Sequence, residues 1–299
     1  MHPYSYREMV KEAKASLAMS GEEIRPATLL LEDLFGMDMT RFLLEGDREV
    51  ADEDRVRYES AIRRISEGEP YQYVAGHAWF YGEKFTVTRD TLIPRNETEE
   101  LVELVLAMEP DTGKKVVDIG CGTGAIGLTL SAAWQNNSVI LTDVSEPALE
   151  VAGANAEKLG TNADILAGNL FEPLIARNIK VDCIVSNPPY IGTDDFADMG
   201  ESVIAHEPAL ALFAEDDGLA LYKRMVDQLD EVLNDGGTVY FEIGWKQADM
   251  LRAYIMQRWP GVEPTVKKDM NGNDRILHFR WEVHYEDENL GYQNGSAQR

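Results

Sequence analysis

The segment Val116-Val117-Asp118-Ile119-Gly120-Cys121-Gly122-Thr123-Gly124-Ala125-Ile126-Gly127 decides the fold of this 299-residue chain. A short apolar strand runs into closely spaced glycines, and an amphipathic helix is predicted from Ala125 to about Trp134. Glycines let the backbone turn tightly and let a ligand approach the main chain. From Gly122 the spacing matches G-x-G-x-x-G, a fingerprint of nucleotide-binding strand–loop–helix units. The segment therefore predicts a doubly wound α/β fold with a ligand at the glycine loop.

A second carboxylate follows at the end of the next predicted strand, residues 138–142. Asp143 lies where an acidic residue binds ribose hydroxyls in such folds. This half of the chain alone does not separate NAD from S-adenosylmethionine. Asp118, just before the glycines, suits a cationic sulfonium better than a pyrophosphate, so it favours S-adenosylmethionine.

Asn187-Pro188-Pro189-Tyr190 supplies the second observation, because it follows a predicted buried strand over residues 181–186. Two prolines fix two φ angles and remove two backbone donors, so the loop is rigid. The Asn187 side-chain oxygen and a nearby carbonyl would hold a planar NH2 group, with Tyr190 covering its flat face. A methyl group on a sulfonium is the electrophile that such an NH2 group needs, whereas a hydride donor has no use for it. The alternative interpretation is a tight proline turn without a ligand.

The pattern along the chain predicts two domains and a tail. Residues 1–74 are predicted to form a small helical bundle, with helices near 4–17, 24–35 and 52–66. Residues 75–95 are predicted as a β-hairpin linker around Gly82, and 282–299 as a flexible tail. Residues 96–281 alternate between strands and helices, which indicates an α/β domain with a mostly parallel sheet. Seven strands with a terminal hairpin suit the Rossmann-like fold of S-adenosylmethionine-dependent methyltransferases. Its strands are predicted at 115–119, 138–142, 163–167, 181–186, 237–243, 262–267 and 274–280, the last two antiparallel.

Composition limits the remaining possibilities. No apolar run approaches the ~20 residues of a membrane span, and Cys121 and Cys183 show neither metal nor disulfide spacing, which favours a cytoplasmic protein. The five histidines lack ligand spacing, so no metal is predicted. Lys and Arg total 28 against 53 Asp and Glu, a net charge of −25. Such charge repels a phosphate backbone and favours a protein amide over a nucleic-acid amine, although a local basic patch would leave the second open.

The Ile93-Pro94-Arg95 block, the glycine loop, the Asn187-Pro188-Pro189-Tyr190 loop and the Asn271-Gly272-Asn273-Asp274-Arg275 block follow one another along the chain, and the first and last are the more specific ones. On these blocks the chain resembles the release-factor glutamine methyltransferases, the PrmC or HemK family, over roughly residues 70–280. The resemblance implies transfer of a methyl group from S-adenosylmethionine to the side-chain amide nitrogen, N5, of the glutamine in the Gly-Gly-Gln motif of peptide chain release factors. Two positions depart from the family pattern: Asn96 replaces a usual proline and Asn169 a usual aspartate. Besides the glycine loop, the matching blocks are Phe80–Phe85, Leu92–Glu99, Gly168–Phe171, Asn187–Ile191, His206–Leu210 and Asn271–Arg275.

The candidate site residues fall into two groups. The catalytic group is Asn187, Pro188, Pro189 and Tyr190. Asp118 and the glycine loop are expected to hold the methionine part, Asp143 the ribose, and Asn169 with Leu170 the adenine. The alternatives are that Asp143 caps the next helix, that Asn169 is a turn residue and that Leu170 belongs to the core. The full cofactor group is Asp118, Gly120, Cys121, Gly122, Thr123, Gly124, Asp143, Asn169, Leu170 and Asn187.

Three hypotheses about function follow. The first is methylation of release factors. The second is a nucleic-acid amino-methyltransferase that uses the same loop on adenine N6 or guanine N2, and the negative charge and the Ile93-Pro94-Arg95 block weigh against it. The third is a non-catalytic binding module, and the intact loops weigh against that. Release factors are therefore the expected partners, with neither membrane nor direct nucleic-acid contact expected.

Overall fold

The N-terminal region of the computed structural model, which describes residues 4–192 and 205–282, is helical. Helix α1 starts with a capping box, in which the Ser5 Oγ accepts from the Glu8 amide and the Glu8 carboxylate accepts from the Ser5 amide. It buries Met9 and Leu17 and ends at Gly21, whose φ is +84°. The helices of this region are α1 (Tyr6–Ser20), α2 (Pro26–Phe35), α3 (Met39–Glu45), α4 (Asp52–Ser66) and α5 (Tyr71–Ala75).

Three of these helices are where the apolar spacing predicts them, and α3 and α5 are not predicted. Helix α3 begins at a cap, since the Asp38 carboxylate accepts from the Arg41 amide at 2.7 Å. Its Leu43 and Leu44 are exposed and only Phe42 is buried, so it carries no apolar stripe to reveal it.

A β-hairpin links this region to the sheet, as predicted around Gly82. Strands β1 (His77–Phe80) and β2 (Glu83–Thr86) pair antiparallel within the predicted range. Tyr81 and Gly82 form the turn with φ of +51° and +80°, which suits the right-handed twist of a two-residue hairpin. Asp33 of α2 holds the hairpin, because its Oδ1 lies 3.3 Å from the His77 Nε2.

The large sheet has seven strands in the order β5-β4-β3-β6-β7-β9-β8. Its parallel strands run from β5 to β7, while β9 is antiparallel to both β7 and β8. The predicted strands and the terminal hairpin are confirmed, with shifts of a few residues at their ends. The strands are β3 (Lys115–Ile119), β4 (Ser138–Asp143), β5 (Asp164–Ala167), β6 (Val181–Ser186), β7 (Leu233–Glu242), β8 (Thr265–Lys268) and β9 (Asp274–Trp281).

Helices cover both faces of this sheet. The helices are α6 (Asn96–Met108), α7 (Ala125–Ala133), α8 (Glu146–Leu159), α9 (Glu172–Ala176), α10 (Ala220–Asp227), α11 (Leu229–Val232) and α12 (Ala248–Arg258), and a 3₁₀ turn spans Ala209–Ala211. The prediction that α7 is amphipathic is wrong, because its first six residues are all buried. An added Cβ on Gly127 would lie 2.2 Å from Leu141, so this glycine allows α7 to pack against β4.

The division of the chain at residues 74, 95 and 281 stays a prediction. Of the predicted tail, only residue 282 lies within the described residues. No helix in the described ranges combines the length and the apolar character needed to cross a bilayer.

Candidate functional site

Strand register brings the two predicted loops together at the carboxyl edge of the sheet. Ile119 of β3 pairs with Ser186 of β6, and the Ser186 Oγ donates to the Ile119 carbonyl at 2.7 Å. The residues that follow, Gly120 and Asn187, therefore leave the sheet side by side. The chain order reverses at this pair of strands, which is where doubly wound folds bind ligands.

A cavity of about 420 Å³ opens at this edge, which is a typical size for a small-molecule site. Both predicted groups contribute to its wall. The lining residues that the sequence predicts are Gly120, Cys121, Gly122, Thr123, Asp143, Asn169, Leu170, Asn187, Pro188 and Pro189.

Three predicted residues are not in that wall: Asp118, Gly124 and Tyr190. Asp118 is fully buried behind the glycine loop, where its Oδ2 accepts from the Gly127 amide at 2.9 Å. Gly124 precedes α7, and an added Cβ would lie 2.8 Å from Leu128. The Tyr190 ring packs against the hydrophobic core and lies outside the cavity wall.

The Asp118 carboxyl group is electrostatically unusual. Burial raises its pKa to about 7, the Gly127 amide lowers it, and the charge of Asp143 raises it further. Its Oδ1 is buried and has no hydrogen-bond partner in the described part of the chain. A cation at the glycine loop would favour the ionised form of this group.

The glycine loop leaves open space on its cavity side. Gly120 and Gly122 have φ of +70° and +54°, and among the described residues no atom lies within 4 Å of an added Cβ on either. Neighbouring groups fix the loop: the Gly122 amide donates to the Asp143 Oδ2 at 2.9 Å. Asn155 of α8, fully buried, donates to the Thr123 carbonyl at 3.0 Å. A ligand can therefore approach the main chain of a loop that is already held in place.

Asp143 faces the cavity rather than capping helix α8. The cap is Ser145, whose Oγ accepts from the Ala148 amide at 3.3 Å. The Asp143 Oδ1 accepts from the Ser145 amide at 2.9 Å. Each carboxylate oxygen has two lone pairs, so both retain capacity for the hydroxyls of a ribose.

The wall beyond Asp143 is formed by the loop after β5. Asp143 pairs with Ala167, which places Asn169 and Leu170 beside it. The Asn169 Nδ2 makes a long hydrogen bond of 3.4 Å to the Glu172 Oε1, an arrangement in which the Oδ1 is the free acceptor. Leu170 has φ of +51°, a strained conformation for a leucine and one that clusters at ligand sites.

The Asn-Pro-Pro-Tyr loop is clamped at both ends. The Asn187 Nδ2 donates to the Thr98 Oγ1 at 3.2 Å. The Tyr190 carbonyl accepts from the Gln247 Nε2 at 2.8 Å, and burial raises the pKa of the Tyr190 phenol to about 12. Gly218 lies so close that an added Cβ would be 2.0 Å from the Tyr190 oxygen. The rigidity predicted from the two prolines is thus reinforced by contacts from α6 and from the segments around residues 218 and 247.

Several contributors were not predicted. Arg95, Thr98 and Arg224 line the cavity. The Arg95 guanidinium donates to the buried Glu207 Oε1 at 2.6 Å, whereas Glu97 is absent from the wall. The ion pair joins two sequence blocks, since Arg95 belongs to Ile93-Pro94-Arg95 and Glu207 to His206–Leu210. Both blocks were signals in the sequence for this part of the site. Other unpredicted contributors include Pro208, Leu210 and Ala211.

These features fit S-adenosylmethionine. The open backbone at Gly120 and Gly122 admits a ligand, Asp143 offers acceptors for hydroxyls, and the orphaned Asp118 oxygen favours positive charge nearby. The rigid Asn187-Pro188-Pro189 loop, which carries a side-chain amide, borders the same cavity. A site that binds only a nucleotide does not require such a loop.

Comparison with known proteins gives matches along the chain. Residues 8–76 match the PrmC N-terminal domain and 98–212 the methyltransferase small domain. The release factor glutamine methyltransferase of Bacillus subtilis is 42% identical over 275 residues, covering 90% of this chain and 96% of that protein. That of Enterococcus faecalis is 39% identical over 271 residues, covering 91% and 97%. A solved methyltransferase from Pyrococcus furiosus shares the fold at a TM-score of 0.51 and 16% identity, covering 75% of this chain and 100% of that one.

Proposed function

This chain belongs to the release factor glutamine methyltransferase family, and we propose that it methylates the side-chain amide nitrogen, N5, of the glutamine in the Gly-Gly-Gln motif of peptide chain release factors. The observation that carries this proposal is one cavity wall shared by the glycine loop and by Asn187-Pro188-Pro189. The chain is an enzyme, and its methyl donor is S-adenosylmethionine, which supplies an electrophilic methyl group on a sulfonium when bound. Gly120, Gly122, Asp143 and Asn169 would hold it.

The task of the protein is to position a poor nucleophile. An amide nitrogen reacts slowly because its lone pair is delocalised into the carbonyl group, so alignment supplies most of the rate enhancement. The Asn187 Oδ1 and the Pro188 carbonyl would each accept a hydrogen bond from one of the two N–H groups of the substrate amide. The same oxygens would stabilise the positive charge that develops on the nitrogen. The proton leaves once that nitrogen is strongly acidic, so no general base is required at this loop.

Charge and cysteine chemistry support the partner and the compartment. The net charge of −25 favours a partner with a basic surface. The same charge disfavours nucleic acid, and the proposal therefore includes no direct contact with nucleic acid. Both cysteines are buried free thiols, as expected in the reducing cytoplasm, where we place the protein.

The direct test supplies the full-length protein with labelled S-adenosylmethionine and one acceptor at a time. The acceptors are intact release factor, the same factor with the Gly-Gly-Gln glutamine changed to alanine, tRNA and DNA. We expect label only in the intact factor, with mass spectrometry locating one methyl group on that glutamine. The Asn187→Ala variant is the negative control for the enzyme. Label on the glutamine-free factor or on nucleic acid would overturn the proposal.

A further inference from the structure

Glu242 is a buried carboxylate at the end of β7, beside Asn187. Ser186 pairs with Phe241, so Asn187 and Glu242 are the next residues on adjacent parallel strands. Glu242 is only 1% exposed, and its Oε2 has no hydrogen-bond partner within residues 4–192 and 205–282. A buried carboxylate is costly to keep in a core, so its neighbours decide what it contributes.

The neighbours of Glu242 are the groups that hold Asn187. Burial raises the pKa of Glu242 to about 7, while side-chain hydrogen bonds from Thr98 and Asn187 and the charge of Arg275 lower it. Thr98 lies in the first turn of α6, is 5% exposed, and accepts from the Asn187 Nδ2 at 3.2 Å. The Thr98 Oγ1 thus accepts from the Asn187 Nδ2, and the Glu242 carboxyl group interacts with both side chains.

An asparagine amide has two chemically opposite ends, and only one of them suits the proposed reaction. The Oδ1 accepts an N–H group, whereas the Nδ2 would meet the substrate N–H bonds donor to donor. Rotation by half a turn exchanges the two ends with little change in shape, so packing alone does not choose between them. The ionised form of Glu242 only accepts hydrogen bonds, and its protonated form still keeps an acceptor oxygen, so the group favours the orientation in which the Nδ2 faces it.

We propose that Glu242 and Thr98 are positioning residues that fix the Asn187 amide with its Nδ2 turned away from the cavity and its Oδ1 presented to the substrate amide. This inference rests on the proposed function, because it assigns the Oδ1 to an N–H bond of the acceptor. It adds two residues that act on the reaction through Asn187 and not by touching the substrate nitrogen.

The first test removes one acceptor without changing side-chain shape. Thr98→Val should lower kcat for release factor methylation by about tenfold, the effect of one lost oriented hydrogen bond. Thr98→Ser keeps the hydroxyl and should recover most of the rate. Glu242→Gln should also lower kcat, since its own NH2 can face the Asn187 Oδ1 and favour the wrong orientation. For all three variants, KM for release factor and the S-adenosylmethionine affinity measured by calorimetry should stay within about twofold.

Glu109→Gln is the matched control for the general effect of neutralising a buried carboxylate. Glu109 follows the other end of α6, is also buried, and accepts from the Tyr240 hydroxyl at 2.6 Å on the strand that carries Glu242. This variant should lower the melting temperature and leave kcat unchanged. An equal fall in kcat for Glu109→Gln and Glu242→Gln would show that the effect is only structural, and the inference would fail.

Two further measurements separate positioning from other causes. In an Asn187→Ala background, Thr98→Val should cause no additional loss of kcat, because its effect passes through Asn187. The Asn187 side-chain NH2 signals in NMR, assigned by their loss in Asn187→Ala, should exchange slowly in the wild type and faster in Thr98→Val. Full additivity, or unchanged exchange, would overturn the inference. If the wild type labels no release factor, the proposed function fails instead, and the NMR result still decides the orientation of Asn187.

Discussion

Gly122→Ala is the change that most directly tests whether the glycine loop holds a ligand. The Gly122 φ of +54° is in the left-handed region, and an added Cβ would meet no atom within 4 Å. The new methyl group would therefore clash with no atom in the part of the chain that the structure describes. It would project from a residue that lines the cavity, where a ligand has to approach the backbone closely.

Two terms determine the cost to stability. A left-handed conformation costs a non-glycine residue roughly 1–2 kcal/mol. The smaller conformational freedom of alanine in the unfolded chain returns about 0.4–1 kcal/mol. The net loss is about 1 kcal/mol, which corresponds to a fall in melting temperature of roughly 2–4 °C for a chain of this size. For the cofactor we expect at least about a tenfold loss of affinity, or about 1.4 kcal/mol, because the methyl group occupies its space.

Gly113→Ala is the matched control. Gly113 has φ of +87°, no atom near an added Cβ, and an amide that donates to the Asn137 Oδ1 at 3.0 Å, much as the Gly122 amide donates to Asp143. It does not line the cavity. Thermal unfolding should give similar losses for both variants, whereas calorimetry with S-adenosylmethionine should show weaker binding only for Gly122→Ala. Equal affinities in the two variants would refute a ligand at this loop.

Three further predictions address the site residues separately. Asp143→Ala should weaken S-adenosylmethionine binding by roughly 1.5–3 kcal/mol in calorimetry, because charge-assisted hydrogen bonds to the ribose are lost; unchanged affinity would exclude that role. Asn187→Ala should lower the methyl-transfer rate by about 10²–10³ with little change in cofactor affinity or melting temperature; if binding fell with the rate, Asn187 would be mainly a cofactor ligand. Asp118 has a folded-state pKa raised from 3.8 to about 7, so its proton is bound more tightly in the folded protein. Its ionisation therefore removes stability as the pH rises through that window, and Asp118→Asn should gain melting temperature over the wild type between pH 3.8 and about 7; a constant difference across the window would contradict this.

The parts of the fold that were predictable are those where local chemistry leaves few choices. Glycines with positive φ at positions 120, 122 and 124 cannot be read as an ordinary helix or strand, and their place between an apolar run and a helix defines the unit. The Asn187-Pro188-Pro189 loop is equally constrained, because proline ends the strand before it. In both cases a few adjacent residues determine the backbone, and so the sequence predicts the loop without knowledge of distant contacts.

Helix α7 shows where such local inference fails. A prediction of amphipathic character assumes that a helix has one exposed side, and α7 has none in its first six residues because α6, α8 and β4 all pack against it. The position expected for Asp118 differs from the observed one for a related reason. A carboxylate just before a glycine loop was expected to reach the ligand, but strand alternation turns it under α7, where Gly127 supplies its hydrogen bond. Exposure depends on layers contributed by distant segments, which the local pattern does not contain.

Glu242 and Thr98 were missed because their connection to Asn187 exists only in the strand register. Tyr240-Phe241-Glu242-Ile243 reads as an apolar strand with one carboxylate, and Thr98 reads as an ordinary residue in the first turn of a helix. Parallel pairing of β6 with β7 places Glu242 next to Asn187, and the packing of α6 brings Thr98 to the same amide. Parallel strands are joined by long crossover connections, so no short-range turn reveals their register. A charged residue that ends an otherwise apolar strand is nevertheless a usable signal, since burying it has a cost that only a specific neighbour offsets. In this chain the neighbours of Glu242 are Thr98, Arg275 and Asn187, whose amide is the group on which the proposed reaction depends.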